Sequence, residues 1–315
     1  MTIAGLFLLI LPVFLLIGVG VGIRRCHVVE GTAETSIIRV VVHLCMPCLA
    51  FDTIVGNASL RLPGNLILPP LAGFVLTCVG MGAAYAAARM IGLGKGTGLR
   101  TFALSTGVSN YSYLPFPIIG GLWGQQTQGL LLVHNMGVDL AIWSVGILVL
   151  TGSSLKSGWK RLVSPMFITI LVAIAVNILG LSPYVPGFAR SMVHSLAVCA
   201  VPLGLLMTGV NLANYLDDPM KLLHRNVALG ACAVRLAVLP VIMLCFAYVL
   251  PCSDELKRVI VVQAAMPAAV LPIIIAQYYG GQPLTAVQVV LSTTAAGLVT
   301  CPLWIRAGLA WLHLS

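Results

Sequence analysis

The sequence predicts an all-α polytopic membrane protein: ten transmembrane helices arranged as two inverted five-helix repeats, with broken helices 4 and 9 crossing. Three observations lead there. Hydrophobic residues make up 59% of the 315-residue chain and charged residues 8%, against about 25% charged in a soluble domain. Apolar runs of membrane length recur from end to end, separated by short connections. Two of those runs, one in each half, are interrupted by paired prolines, at Pro115 and Pro117 and at Pro267 and Pro272. No segment shows the alternating pattern of an outer-membrane barrel.

The ten spans expected are Ile3 to Ile23, Ser36 to Val55, Leu66 to Ile91, Thr101 to Trp123, Gly129 to Thr151, Pro165 to Leu181, Ser191 to Leu212, Val227 to Leu250, Lys257 to Tyr279, and Leu284 to Leu309. Each approaches or exceeds the roughly 20 residues that cross a bilayer. The first has no basic region before it, so it reads as a membrane helix and not as a cleaved signal peptide. The longest connection, Gly152 to Ser164, leaves little room for a soluble domain.

Lys and Arg set the expected orientation. One set of loops carries Arg24, Arg25, Arg89, Lys95, Arg100, Lys156, Lys160, Arg161, Lys221 and Arg225. The other carries Arg61, Arg190, Lys257 and Arg258, with Arg306 near the C-terminus. The richer set is expected in the cytoplasm, which places both termini outside a cell (inner) membrane. The net charge of +9 is thereby read as topology and lipid headgroup contact, not as a nucleic-acid surface.

The halves repeat. At an offset of 155 residues Pro47 falls on Pro202 and Pro117 on Pro272, and Pro117-Ile118-Ile119 overlays Pro272-Ile273-Ile274. Thr53, Val55 and Ala58 likewise overlay Thr208, Val210 and Ala213. Five spans is an odd number, so the second repeat (156–315) enters the membrane upside down relative to the first (1–155). Inverted repeats with broken helices are the architecture of many secondary transporters.

The breaks themselves suggest chemistry. Proline removes a backbone donor and clashes with the preceding turn, and a freed backbone group in hydrocarbon costs several kcal/mol unless protein or water satisfies it. Half-helix N-termini carry partial positive charge and free amides. Inside the breaks there is no acid, Lys or Arg; the polar groups are Asn110, Tyr111, Ser112 and Tyr113 in one half and Gln263 and Gln277 in the other. Such a neutral, donor-rich site fits a carboxylate or amphipathic weak acid better than a metal cation. The plainer alternative is that the prolines only kink packed helices.

Further residues stand out because ionisable groups at membrane depth are expensive. Asp139 lies in span 5, one turn after Asn135; it is a candidate proton carrier, or a support for the broken span 4, or a structural carboxyl. Arg235 is the basic residue deepest in a span, able to pair with Asp139 or to attract an anion. Asp52 reads as solvated near the outer end of span 2, and His43 and His194 as packed, hydrogen-bonded side chains. The nine cysteines lie mostly in apolar runs. Cys45-Met-Pro-Cys48 lacks the context of a redox motif, and small apolar packing is its reading. No zinc helix, phosphate loop or nucleophile elbow is present, so no enzyme activity, metal or cofactor is expected.

At these residues the chain resembles the auxin efflux carrier family, which includes bacterial organic-acid carriers and the plant PIN-type auxin carriers. The resemblance rests on Asn110-Tyr-Ser-Tyr-Leu-Pro-Phe-Pro117-Ile-Ile-Gly-Gly-Leu-Trp-Gly124, on Gln263-Ala-Ala-Met-Pro267 with Pro272 and Ala276-Gln-Tyr-Tyr-Gly280, and on Arg235 with Leu239-Pro240. Pro202-Leu203-Gly204-Leu205 with Thr208-Gly209, Ser292-Thr293 with Pro302-Leu303, and Asp139-Leu-Ala-Ile-Trp143 extend it over essentially all ten spans. Bacterial members often carry Asn where this chain has Leu271, and glycines where it has Ser112 and Pro115. The long cytoplasmic loop of many plant carriers is absent.

The resemblance implies a scaffold and dimer surface (1–60 and 160–215) and a transport bundle (64–152 and 226–311) that moves as an elevator. The implied activity is secondary transport of a small organic anion, such as malonate, malate or an auxin-like weak acid, driven by protons or by the membrane potential. The substrate would sit beside the crossover, facing spans 2 and 7. Its site would draw on Asn110, Tyr111, Ser112, Tyr113, Pro115, Pro117, Gln263, Pro267, Leu271, Pro272 and Thr208, with Asp139, Asn135 and Arg235 in coupling. The expected partners are the anion, the lipid bilayer and a second copy of the chain in a homodimer. Two rivals remain: a sodium-coupled symporter of the bile-acid type, and a membrane sensor that binds without transporting.

Overall fold

The computed structural model describes residues 2–94, 96–152, 164–216 and 224–314. Twelve helices account for almost all of them: α1 (Ile3–Arg25), α2 (Gly31–Ile54), α3 (Gly64–Met90), α4 (Leu99–Gly107), α5 (Pro115–Trp123), α6 (Gln125–Thr151), α7 (Pro165–Ile178), α8 (Gly187–Ala213), α9 (Arg225–Val249), α10 (Asp254–Ala265), α11 (Leu271–Tyr278) and α12 (Pro283–Trp311). Among the described residues there is no strand. Seven helices, α1, α2, α3, α6, α8, α9 and α12, are long and apolar enough to cross a membrane.

Local chemistry sets the helix starts. Thr2, Ser164 and Ser253 each accept a backbone N–H of the first turn of α1, α7 and α10, as good N-caps do. Asp254 and Glu255 in the first turn of α10 add favourable charge at its positive end. Proline opens α5, α7 and α12, where its missing N–H costs nothing.

The expected span 4 is two helices. α4 ends at Gly107, Val108 is extended, and α5 begins at Pro115. The expected span 9 divides in the same way. α10 ends at Ala265, Met266 is extended as a residue before proline prefers, and α11 starts after Pro267. The expected span 6 is shorter than the reading Pro165 to Leu181: Gly180 adopts a positive φ of 68° and ends α7 after 14 residues.

Three of the long helices contain a π-turn, Val41–Cys45 in α2, Ile142–Gly146 in α6 and Val234–Val238 in α9. Two of these lie just before a proline, Pro47 and Pro240. A widened turn relieves the clash between the proline ring and the preceding carbonyls without ending the helix.

Packing divides into two layers. α1, α2, α7 and α8 form one group through the α1–α8, α2–α8 and α2–α7 contacts. α3 packs on α4 and α6, while α12 packs on α9 and α10; α10 against α6 and α12 against α4 join these two sets. Small residues permit the closest approaches, as is usual between membrane helices. A Cβ on Gly20 or Gly209 would run into the backbone of the facing helix, and one on Gly137 would overlap the Pro70 carbonyl.

The nine cysteines are all free; Cys45 and Cys301 are buried and Cys48 is partly buried, as packing groups are, whereas Cys26, Cys199 and Cys245 are exposed. The boundary between residues 155 and 156 lies outside the described residues, as do Lys95, Lys156, Lys160, Arg161 and Lys221.

A paired substitution tests the close approach of α3 and α6. Gly137→Ala, against the Pro70 carbonyl, is expected to abolish a monodisperse, folded peak in detergent size-exclusion chromatography. Gly82→Ala, with open space around it, is expected to be neutral or stabilising by about 1 kcal/mol from helix propensity.

Candidate functional site at the helix crossover

The two breaks meet. Ser109 and Ala268 form an antiparallel bridge, in which the Asn110 amide donates to the Pro267 carbonyl at 2.7 Å and the Ala269 amide donates to the Val108 carbonyl at 3.0 Å. Each interrupted segment thus supplies the hydrogen bonds that the other lost when its helix ended. Burial leaves no water to do this: Val108, Met266 and Ala268 are almost wholly inaccessible.

Side chains complete the accounting. Gln263, in the last turn of α10, donates to the Tyr111 carbonyl at 3.0 Å and to Asn135 Oδ1 at 3.2 Å, and accepts from Ser109 Oγ at 3.2 Å. Asn135 of α6 donates to the same Tyr111 carbonyl at 2.8 Å and contacts Ser112 Oγ at 3.4 Å. Asn110 Oδ1 accepts the Leu114 amide at 3.5 Å, over the start of α5. Thr293 of α12 accepts the Ala268 amide at 3.1 Å.

The C-terminal end of α10 is closed with equal completeness. Arg235 donates to the carbonyls of Met266, Gln263 and Ala264 at 2.9, 3.1 and 3.3 Å, and Cys301 Sγ lies 3.1 Å from the Ala265 carbonyl. Arg235 therefore does not pair with Asp139. Asp139 instead accepts a 2.7 Å hydrogen bond from the Tyr111 hydroxyl, so α6 grips the first break at two points one turn apart.

A cavity of about 520 Å³ opens beside the crossover. Its bundle side is formed by Asn110, Tyr111, Ser112, Tyr113, Asn135, Asp139, Trp143, Ala269, Val270 and Leu271; the facing wall comes from Val42, His43 and Met46 of α2, from Ser164 to Phe167 and Ile170 around the start of α7, and from Thr208 of α8. The segments leading into the N-terminal ends of α5 and α11 both face it. Among the described residues that line it, Asp139 is the one carboxyl and there is no Lys or Arg. Tyr113 extends across to α8, where it fits against Gly204; a Cβ there would overlap the ring.

The sequence-predicted residues therefore divide. Asn110, Tyr111, Ser112, Tyr113, Asn135, Asp139, Thr208 and Leu271 line the cavity. Pro115, Pro117, Pro267 and Pro272 shape the breaks, and Gln263 and Arg235 hold them together, without lining it. Gln277 bonds to the Tyr215 hydroxyl at the exposed end of α11. His43 and His194 are exposed, not packed. His43 Nδ1 lies 3.1 Å from the Arg39 carbonyl, and His194 Nδ1 lies 3.0 Å from the Asp52 carboxylate.

Sequence reasoning missed the apolar lining, Trp143, Met46, Phe167, Ile170 and Val270, because nothing in an apolar run distinguishes a lipid-facing side chain from one facing a cavity. Thr293 was within reach, since Ser292-Thr293 is part of the resemblance, but nothing in the sequence marks it as the anchor of the Ala268 amide.

An all-helical membrane protein whose interrupted helices meet beside a cavity belongs to the polytopic transporter class. The chain belongs to the membrane transport protein family, of auxin efflux carrier type, which matches it over residues 6–157 and 149–305. It is 26% identical over 302 residues to an uncharacterized transporter of Methanothermobacter thermautotrophicus, covering 94% of this chain and 96% of that protein. It is 22% identical over 316 residues to an uncharacterized transporter of Methanocaldococcus jannaschii, covering 97% and 98% of the two chains.

Gln263 joins Ser109, Tyr111 and Asn135 through one side chain. Gln263→Leu strands the Ser109 hydroxyl, leaves Asn135 Oδ1 only the long contact to His134 Nδ1 at 3.5 Å, and weakens the hold on the Tyr111 carbonyl, at about 1–3 kcal/mol for a buried group left unpaired. A clear fall in the thermal unfolding midpoint in detergent is expected, larger than for Gln277→Leu at the exposed end of α11.

Proposed function

We propose that this membrane transporter is a secondary carrier of a small organic anion, working by elevator-type alternating access. The observation that carries the reading is the antiparallel bridge at Ser109 and Ala268, with the segments leading into α5 and α11 beside one cavity. Half-helix N-termini present free amides and partial positive charge. They can hold a carboxylate at membrane depth without a buried lysine or arginine, and no such residue is among the described residues lining this cavity.

The ten-crossing, five-plus-five inverted arrangement accounts for the helices economically. α4 with α5, and α10 with α11, each count as one interrupted crossing, and α7 as a short one. The group α1, α2, α7 and α8 corresponds to the scaffold (1–60 and 160–215) and dimer surface; α3 to α6 with α9 to α12 corresponds to the moving bundle (64–152 and 226–311). The cavity lies between these two groups, where sliding of one against the other would carry a bound anion across. Its wall includes Ser164 and Pro165 at the start of α7, the end assigned to the cytoplasm by the Lys/Arg distribution. The described state is then inward-facing, with both termini outside.

In this reading Asn110 and the amides leading into α5 and α11 bind the carboxylate, and Thr208 faces it from the scaffold. Tyr111 and Asp139, hydrogen-bonded to each other beside the anion, supply the proton. A protonated Asp139 removes a negative charge from the wall as the anion enters, which couples the two events electrostatically.

The test is uptake of radiolabelled malonate, malate and indole-3-acetate into proteoliposomes holding the purified protein. At least one acid is expected to accumulate above empty vesicles, and failure of all small organic acids would remove the proposal. Asn110→Ala is expected to fold normally and to lower uptake roughly tenfold, the equivalent of one hydrogen bond to an anion; wild-type flux would dismiss the site. Asp139→Asn keeps a partner for the Tyr111 hydroxyl but cannot carry a proton. Uptake by this variant is expected to lose the pH dependence of the parent, and a retained pH profile would reassign the proton.

A further inference from the structure

The C-terminal end of α10 turns three carbonyls, those of Gln263, Ala264 and Met266, onto one group, the guanidinium of Arg235. Arg235 is 1% exposed and is among the largest fully buried side chains in the protein. Its remaining contact is the Met243 sulfur at 3.9 Å, and none of these partners is a carboxylate. What balances its charge is the negative end of a helix dipole and the carbonyls that the break leaves without amide partners. Converging backbone carbonyls in a dry interior are also the ligand set by which membrane proteins hold bare monovalent cations. Here the position is filled by a cation tethered to α9.

The other half closes the corresponding position differently. The 155-residue offset sets Arg235 against Gly80 of α3. At Gly80 the backbone of α3 comes against the end of α4 so closely that a Cβ would lie 2.7 Å from the Gly107 carbonyl. The next carbonyl, of Val108, is taken by the Ala269 amide. One broken helix thus has its negative end covered by backbone, the other by a guanidinium.

We infer that Arg235 is a positioning residue serving as a built-in cation at the crossover. It occupies a carbonyl-lined cation site, fixes the second break in its bonded geometry, and makes a coupling metal ion unnecessary there. The inference deepens the carrier reading above in its statement about ion coupling, while the cation site itself stands on the hydrogen bonds alone. Removing the side chain should uncover a site for a small planar cation.

The experiment has two arms. In detergent, thermal unfolding is followed in the chlorides of sodium, potassium, choline and low-millimolar guanidinium. The parent protein is expected to unfold at the same temperature in all four. Arg235→Ala is expected to unfold roughly 5 °C or more lower, with guanidinium, unlike choline, restoring part of the loss. An unchanged midpoint, or no difference between guanidinium and choline, overturns the inference. Where Arg235→Ala yields no folded protein, Arg235→Lys and Arg235→Met decide. Lys should fold with the higher midpoint, and Met matching Lys, or Lys failing to fold, overturns it. In the second arm, uptake of the transported acid by the parent protein is measured with sodium replaced by choline, and an unchanged rate is expected. Sodium-dependent uptake overturns the inference and leaves the carrier reading standing; no uptake of any acid removes the carrier reading and leaves the thermal arm to decide the cation site.

Discussion

Every backbone amide and carbonyl freed by a broken helix must find a partner where water is scarce, and that constraint organises this protein. An unpaired group in hydrocarbon costs several kcal/mol. Two breaks in isolation would be untenable; two breaks that face each other solve much of each other's problem. The short antiparallel bridge at Ser109 and Ala268 exchanges the hydrogen bonds. Gln263, Asn135, Thr293 and Arg235 then absorb groups the bridge cannot reach. These side chains come from α6, α9, α10 and α12, so the crossover ties the two halves of the chain together by hydrogen bonds.

This explains what was legible in the sequence and what was not. Prolines are legible because their effect is local: each removes a donor whatever surrounds it, so the breaks near Pro115 and Pro267 could be placed before any coordinates. Asn110 and Gln263 were legible because amides are uncommon in apolar runs. Partner choice was not. Arg235 and Asp139 both stood out as expensive residues at depth, and pairing them was the economical guess. Yet the chain satisfies the arginine with carbonyls and the aspartate with a tyrosine hydroxyl. Only the three-dimensional approach of α9 to the end of α10 shows that carbonyls were left over to receive a guanidinium. The same holds for Tyr113, whose place against α8 depends on the bare backbone of Gly204 on a segment ninety residues away.

The burial of Arg235 without a carboxylate also has a thermodynamic logic. A buried ion pair gives back in desolvation much of what it gains in attraction. A guanidinium in a fork of carbonyls needs only one charge to be buried, and it satisfies acceptors that would otherwise be stranded. Among the described residues Asp139 has no counter-cation and is held by the Tyr111 hydroxyl beside the cavity. A carboxyl in that state can change its charge at small structural cost, whereas one locked to an arginine cannot.

The placement of charge around the crossover is therefore directional. The negative end of α10 is met by Arg235 and Cys301, while α4 ends closely packed on α3, with the Val108 carbonyl beyond it taken by the Ala269 amide. The segments entering the positive ends of α5 and α11 are left facing the cavity, with Asn110 and Asn135 beside them. The negative end of α10, which would repel an anion, is met by a cation, while the segments entering the positive ends face the cavity. A crossover built only for rigidity would have no reason to treat its two kinds of helix end so differently, and that asymmetry weighs toward a bound anion and against kinks that merely pack.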